Sequence, residues 1–434
     1  MTVFMKTRNF FALLLAVAML FVSCEDEETN EAIITDDPIE NPDTDKEDDN
    51  KQEEVEPNER VDLTLTSEQK KMVSAGNAFA FDMFDRLVSK EQGGDVFFSP
   101  LSVELALGML NEGACGVTSE EIMKVLSFGE AEKDAVNSYY KSLIDQSVSV
   151  DNQVDLVIAN ALVASDAYDI KDSYVSAIGD WYYAKDFILD YSNVNPVEFV
   201  NDWVSDRTGG MIPHFVDNVG SVNLLNTICF NALWEEPFND EATRKVAFNC
   251  AAGNVSEVDM MKSVSSYRYL SSDIFDMVCK SYSNGAYRFT LLLPKDGYGV
   301  SDVAAVLKND GLQKYMNAAK YSYVDLNMPS FELEFSVDFK EHLKNMGMMS
   351  AFEGGDFSDM VASGDMYVDK VFHKARIKMD ESGTCAAAGT IIQMEGASPD
   401  QTEPILFLAD HPFVYVITEI SSTKVFFAGT YSGR

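Results

Sequence analysis

Four histidines, His214, His342, His373 and His411, are the only imidazoles in the chain, and none stands in a spacing that carries known chemistry. There is no His-Glu-x-x-His pair, no Gly-x-Ser-x-Gly elbow, no phosphate-cradling loop and no Gly-x-Gly-x-x-Gly turn. A Ser/His/Asp triad has members distant in chain order, so abundant Ser and Asp say nothing about one. Besides Cys24 there are five scattered cysteines: Cys115, Cys229, Cys250, Cys279 and Cys385. An odd, dispersed set without Cys-x-x-Cys spacing is neither a disulfide framework nor a zinc site. They read as small buried apolar residues, with Cys385 alone reading as exposed. No metal, cofactor or enzymatic activity is expected.

The segment from Asp380 to Glu403 is different. Ser382 to Thr390 holds only small residues, which neither pack a core nor favour one backbone state. From Thr384 the types alternate: Thr384, Ala386, Ala388, Thr390, Ile392 and Met394 on one face, and Cys385, Ala387, Gly389, Ile391, Gln393 and Glu395 on the other. The first set is small and then apolar, while the second ends polar. Such a segment suits a strand that is exposed in one state and half-buried in another, added to an existing sheet.

The elements that must position it lie within Leu65 to Arg434, which reads as one unit without linker, repeat or low-complexity run. Apolar residues at three- and four-residue spacing predict helices over Glu68–Val88, Ser102–Met109 and Ser119–Leu126. Strands are predicted over Asp155–Val163, Tyr287–Pro294, Tyr323–Leu326, Glu332–Phe335, Lys370–Met379, Phe413–Ile417 and Lys424–Ala428. Helices gathered early, strands intermixed later and no regular βαβ alternation indicate an α+β fold with large sheets.

The 434 residues are 46% apolar and 24% charged, with 33 Lys+Arg against 71 Asp+Glu, a net charge of −38. Such a surface repels nucleic-acid backbones and anionic lipid headgroups. Residues 25–60 alone hold seventeen acids, three bases and three prolines with few large apolar side chains, and read as a disordered tether. Ahead of it, Lys6 and Arg8 precede a 13-residue apolar run, Phe10 to Val22, shorter than the ~18–20 residues that span a bilayer. Phe21-Val22-Ser23-Cys24 resembles a bacterial lipoprotein cleavage box, with Cys24 the lipidated residue. The acidic run after it resembles a surface-export signal. The expected divisions are a signal peptide at 1–23, a tether at 24–64 and a folded domain at 65–434. Localisation on the outer membrane facing outward follows, with the membrane touched only through the lipid.

From Ser99 onward a set of motifs recurs in a known order. VFFSPLSV (96–103), GACGVTSEEI (113–122), IANALV (158–163) and FVNDWVSDRTGGMI (199–212) are followed by NTICFNALWEEPF (226–238). FKEHLKNMGMMSAF (339–352), KVFHKARIKMDESGT (370–384) and ADHPFVYVI (409–417) complete the set. Over 66–434 the chain resembles a serpin. The resemblance implies helices packed around three β-sheets with an exposed reactive-centre loop at about 381–405. It implies an inhibitor that baits a serine protease: the enzyme's nucleophile forms an acyl-enzyme, and the cut loop inserts into the main sheet before water can release it. About a dozen inserted residues at ~3.3 Å each would carry the tethered protease ~40 Å.

Residue by residue, the resemblance makes Glu381, Gly383, Thr384, Ala386, Ala387 and Ala388 the hinge. Ser382 and Cys385 depart from the family pattern at positions expected to stay exposed. Ser99, Ser102, Asn226 and His373 match the polar cluster called the shutter, and Trp234 matches the tryptophan of the breach, where the loop enters. Counting seventeen residues from the hinge Glu puts the scissile bond at Ala397–Ser398, with Met394 the alternative in a long loop. An alanine there suits shallow-pocketed, elastase-like proteases. Papain-like cysteine proteases are alternative targets, and a non-inhibitory binding serpin is the alternative role. No heparin activation is expected from so acidic a surface, and the chain is expected to be a monomer.

Overall fold

Thr66 opens the first helix. Its hydroxyl accepts from the Gln69 N–H while the Gln69 side chain accepts from the Thr66 N–H, a capping box. Ser99 and Pro100 open the second in the same spirit, with the Ser99 hydroxyl accepting from the Ser102 N–H at 3.1 Å and proline at the first turn. The computed structural model describes residues 57–362, 366–384 and 403–433. In chain order these form α1 (Ser67–Lys90), β1 (Val96–Phe98), α2 (Pro100–Gly113), α3 (Gly116–Val125), α4 (Lys133–Ser147), β2 (Val154–Ser165), α5 (Asp172–Tyr182), β3 (Lys185–Leu189) and α6 (Pro196–Arg207). Then come β4 (Val222–Leu233), β5 (Arg244–Asn249), β6 (Val255–Ser271), β7 (Phe275–Ser281), β8 (Tyr287–Pro294), α7 (Val300–Asp310), α8 (Leu312–Ala318), β9 (Lys320–Pro329) and β10 (Phe331–Asp338). The chain ends with α9 (Lys340–Met346), β11 (Phe372–Met379), β12 (Gly383–Thr384), β13 (Ile405–Leu408), β14 (Phe413–Glu419) and β15 (Val425–Tyr431).

Two hydrogen-bonded sheets result. One has nine strands, ordered β1-β15-β14-β8-β7-β6-β9-β13 with β5 also on β6; the other has six, ordered β10-β11-β12-β4-β2-β3. The 17-residue β6 pairs with β5, β7 and β9, so the second and third expected sheets are continuous through it. Apolar side chains of α1, α2 and α4 and the inward faces of both sheets form the main core. Burial of that area is the dominant favourable term in folding.

Within the core lies an ion pair with both side chains fully buried, Lys424 to Glu104 at 2.6 Å. Gly76 of α1 makes room for it, since a Cβ there would meet the Glu104 carboxylate at 2.7 Å. Burial pushes the Glu104 carboxyl up and the Lys424 ammonium down, each against the pull of the other.

The six-stranded sheet is not closed at its centre. β11 and β4 are bridged only by the two residues of β12, and no ladder joins them directly among the described residues. On the outer face, α6 and the segment after it cover this line. Val200, Trp203 and Val204 pack with Ile212, Phe215 and Leu225, and Phe215 meets Phe372 of β11 edge-on at 5.4 Å.

Each predicted element is present: Tyr287–Pro294 with the same bounds, the Lys370–Met379 strand beginning two residues later at Phe372, and the others longer at one or both ends, although the third helix stops at Val125 and the last strand begins at Val425. The strands β1, β3 to β7 and β13 and the helices α4 to α9 escaped the sequence pattern. β6 intersperses Ser256, Glu257, Asp259, Lys262, Ser263, Ser265 and Ser266, all exposed or half-buried, among its apolar residues, and β4 breaks its apolar run with Asn226 and Asn231. The tether's end at residue 64 needs correction, because the body reaches back to Asn58. The Asn58 N–H donates to Asn152 at 3.0 Å, and Leu63 is buried with its N–H on the Ser421 hydroxyl. A few backbone hydrogen bonds and one leucine suffice to hold what charge composition alone marks as loose. Cys229, Cys250 and Cys279 are buried, whereas Cys115 is half-buried, so burial does not extend to every core cysteine.

Candidate functional site

The small-residue segment begins where β11 ends. Asp380 turns the chain: its carboxylate accepts from the Ser382 and Gly383 N–H groups at 3.0 and 3.2 Å, and its own N–H donates to the Gly383 carbonyl. The turn delivers Gly383 and Thr384 between two strands, Gly383 opposite Leu233 and Thr384 opposite Ala232 of β4, with Thr384 also opposite Met379 of β11. Only glycine fits at 383, because a Cβ there would stand 2.0 Å from the Ala232 carbonyl oxygen. Thr384 is 2% exposed and faces inward, its hydroxyl 2.5 Å from the Tyr282 hydroxyl. Glu381 is half-buried; its carboxylate accepts from the Thr243 hydroxyl at 2.7 Å, and its carbonyl from the Phe238 N–H.

Trp234 anchors this turn from below. Its indole N–H donates to the Asp380 carbonyl at 3.0 Å, its backbone N–H to the Ser382 carbonyl, and its ring lies on Tyr282 at 4.4 Å, nearly parallel. Under the Trp234 and Phe238 rings sits the buried Lys280, 4.5 Å from the Phe238 centroid, its ammonium donating to the Glu236 carbonyl. Burial lowers the Lys280 pKa to about 8, with Glu236 and Glu235 opposing the shift. Trp234, Tyr282 and Thr384 thus form one stacked and hydrogen-bonded column at the top of the open line between β4 and β11.

Lower on that line the polar residues meet in part. The His373 imidazole accepts the Ser99 N–H at 3.2 Å through Nε2, so its proton sits on Nδ1. Ser102 joins through the Ser99 cap. Asn226 does not bond to these three. Its amide donates to Asn160 Oδ1 at 2.6 Å, and Asn160 donates in turn to the Tyr182 carbonyl. Ser102, Asn226 and His373 nonetheless line the same cavity, of about 420 Å³, which lies between β4, β11 and α2.

A two-residue strand thus stands between β11 and β4 in a split sheet, and in sequence a run of small residues follows it. The family profile described as Serpin (serine protease inhibitor) matches residues 74–433. The chain belongs to the serpin family. An uncharacterised serpin-like protein of Thermococcus kodakarensis is 29% identical over 86% of this chain and 88% of its own. The leukocyte elastase inhibitor of Equus caballus is 29% identical, covering 83% and 98%. The thermophilic serpin Tengpin in its native state superposes with a TM-score of 0.77 at 24% identity, covering 87% of this chain and 97% of its own.

In this serpin, Cys24, Cys385, Ala386, Ala387, Ala388, Met394, Ala397 and Ser398 lie outside the described residues. Sequence reasoning missed Tyr282, Thr243, Asn160 and Lys280. Asn160 had a signal, as a lone amide in the apolar run 158–163. The other three had none, because their contacts arise only when one sheet packs on the other.

Burial alone drives the His373 pKa from its ordinary 6.5 down to about 4, so the ring is neutral at pH 7. The unfolded chain takes up a proton first as pH falls. The stability of the native form is therefore complete above about pH 6.5 and is lost down to about pH 4, by up to ~3 kcal/mol. His373→Gln is expected to flatten the thermal midpoint against pH in that window. An unchanged slope would count against a buried neutral His373.

Proposed function

We propose that this serpin is an inhibitor of serine endopeptidases that traps its target by inserting its reactive-centre loop between β11 and β4. The observation that carries the reading is Thr384, already seated between these strands with its side chain inward. Continuing both registers residue by residue, Thr390 falls between Asn226 and His373, and Ile392 between Leu224 and Val371. Ala386 and Ala388 come before them on the same inward face, where small side chains cost least to accommodate in a packed interior. The split sheet and the alternating segment are thus complementary along their length.

The target class is elastase-like serine proteases, cut at Ala397–Ser398 or, in the alternative register, after Met394. The similarity to a leukocyte elastase inhibitor supports that choice. Mixing with elastase is expected to give an adduct that survives denaturing electrophoresis; cleaved loop without adduct would leave only a substrate, and intact chain would reject elastase as the target. The proposed anchor is lipid on Cys24, holding the serpin at the outer-membrane surface. Cys24→Ala is expected to move the mature chain from the detergent phase to the aqueous phase, and unchanged partition would sink the lipoprotein reading.

A further inference from the structure

The cavity below the shutter residues is large for a closed fold. At about 420 Å³ it falls within the ~300–1,000 Å³ range of small-molecule sites. Its walls are mixed: an apolar part made by Leu107 and Leu110 of α2, Phe339, Met360, Phe215 and Phe372, and a polar part from residues such as Ser221 and Asn223. At one end stand Asn226 and His373. The Asn226 Oδ1 is buried and receives no hydrogen bond among the described residues, whereas a buried amide oxygen ordinarily has a partner. His373 already accepts from Ser99 through Nε2 and so retains a donor at Nδ1. A hydroxyl group, which both donates and accepts, complements that pair once the Asn226 side chain, now sealed from the cavity, turns its oxygen toward it. At the rim, Asp217 and Asp369 outnumber Lys370 and oppose an anion.

We propose that this cavity binds a small neutral aromatic alcohol, of the phenol class, with its ring among the phenylalanines and its hydroxyl toward Asn226 and His373. Occupancy has a consequence that rests on the insertion reading above. The same positions, Asn226 and Leu224 on β4, His373 on β11 and Val371 just before it, line the cavity and would receive Thr390 and Ile392. A bound phenol and an inserted loop therefore exclude each other. The ligand holds the serpin unconverted and lets the acyl-enzyme hydrolyse.

The test uses the mature chain and 2-naphthol as a fluorescent probe, with 2-methoxynaphthalene as the partner lacking a donor. Saturable one-to-one binding of naphthol is expected, at least about fivefold tighter than the ether, as one lost hydrogen bond predicts. Two cavity-filling variants, Ala106→Phe and Val219→Trp, each confirmed folded by circular dichroism, are expected to lose binding. At saturating naphthol the elastase adduct should give way to cleaved loop. No saturation by roughly 1 mM, or undiminished binding in both folded variants, overturns the site. Equal affinity for the ether overturns the assignment of its polar end. Undisturbed adduct formation at saturation overturns the competition. If the parent forms no adduct without probe, the inhibitor reading falls, and the binding and variant arms still decide the cavity.

Discussion

Thr384→Arg is expected to turn this serpin from an inhibitor into a substrate. Thr384 stands at the head of the split between β4 and β11, buried, with its hydroxyl on Tyr282 and near the Met379 sulfur. Tyr282 is itself pinned by the Trp234 ring. An arginine in that place has a guanidinium with five donors and no carboxylate among the contacts that now hold Thr384. Burying it unpaired costs several kcal/mol. The chain escapes that cost by leaving the hinge outside the sheet. The bait bond lies thirteen residues further on by the proposed register, and the variant is expected to be cut there at the parent's rate. Insertion then stalls at its first side chain, and the acyl-enzyme hydrolyses. The measurement is the number of inhibitor molecules consumed per protease trapped: it should rise at least about tenfold, since ~1.4 kcal/mol on the competing step already shifts the partition that far. Trapping at the parent's stoichiometry would falsify the insertion mechanism for this chain. Thr384→Ser, which keeps the hydroxyl, is expected to stay inhibitory.

Lys424→Met carries the largest expected effect on stability. It leaves Glu104 fully buried in the core between α1, α2 and the β14–β15 hairpin, without its counter-charge. Glu104 Oε2 already lacks a hydrogen bond, and among the described residues no other cation acts on the carboxylate. The carboxyl must then take up a proton on folding. At pH 7, against an ordinary value of 4.5, that costs ~3–4 kcal/mol. The sign with pH follows. A carboxyl whose native pKa is raised adds stability only at acid pH and forfeits it as pH rises. The variant's deficit is therefore expected to be largest at pH 7 and above, and to shrink toward pH 4.5. Adding Glu104→Leu should recover most of the loss, because two apolar side chains of similar volume replace a buried pair at little cost. Denaturant unfolding of parent, single and double variants at pH 5 and pH 7.5 measures it. A single variant as stable as the parent at pH 7.5 would show that Glu104 finds another partner.

The fold class, the first three helices and the strand character of the segment at Thr384 were legible in the chain. These depend on local chemistry. A helix face is a period of three to four, a strand face is a period of two, and the glycine and alanines of the proposed hinge declare themselves by size. The family resemblance added order along the chain but no contacts. What the sequence determined by itself is which residues are small and alternating enough to suit a strand between two others.

Only the tertiary structure decided where they enter. That Thr384 meets Tyr282, that Asn226 bonds to Asn160 instead of His373, and that β4 and β11 stay apart over a cavity are facts about surfaces brought together across tens to hundreds of residues. Glu104 and Lys424 are 320 positions apart, and no spacing links them. The physical reason is common to all four. Local pattern is set by backbone geometry within a few residues, whereas the partner of a buried polar group is set by which faces pack. Burial then makes that partner compulsory, because an unpaired polar group or charge inside the core costs kilocalories.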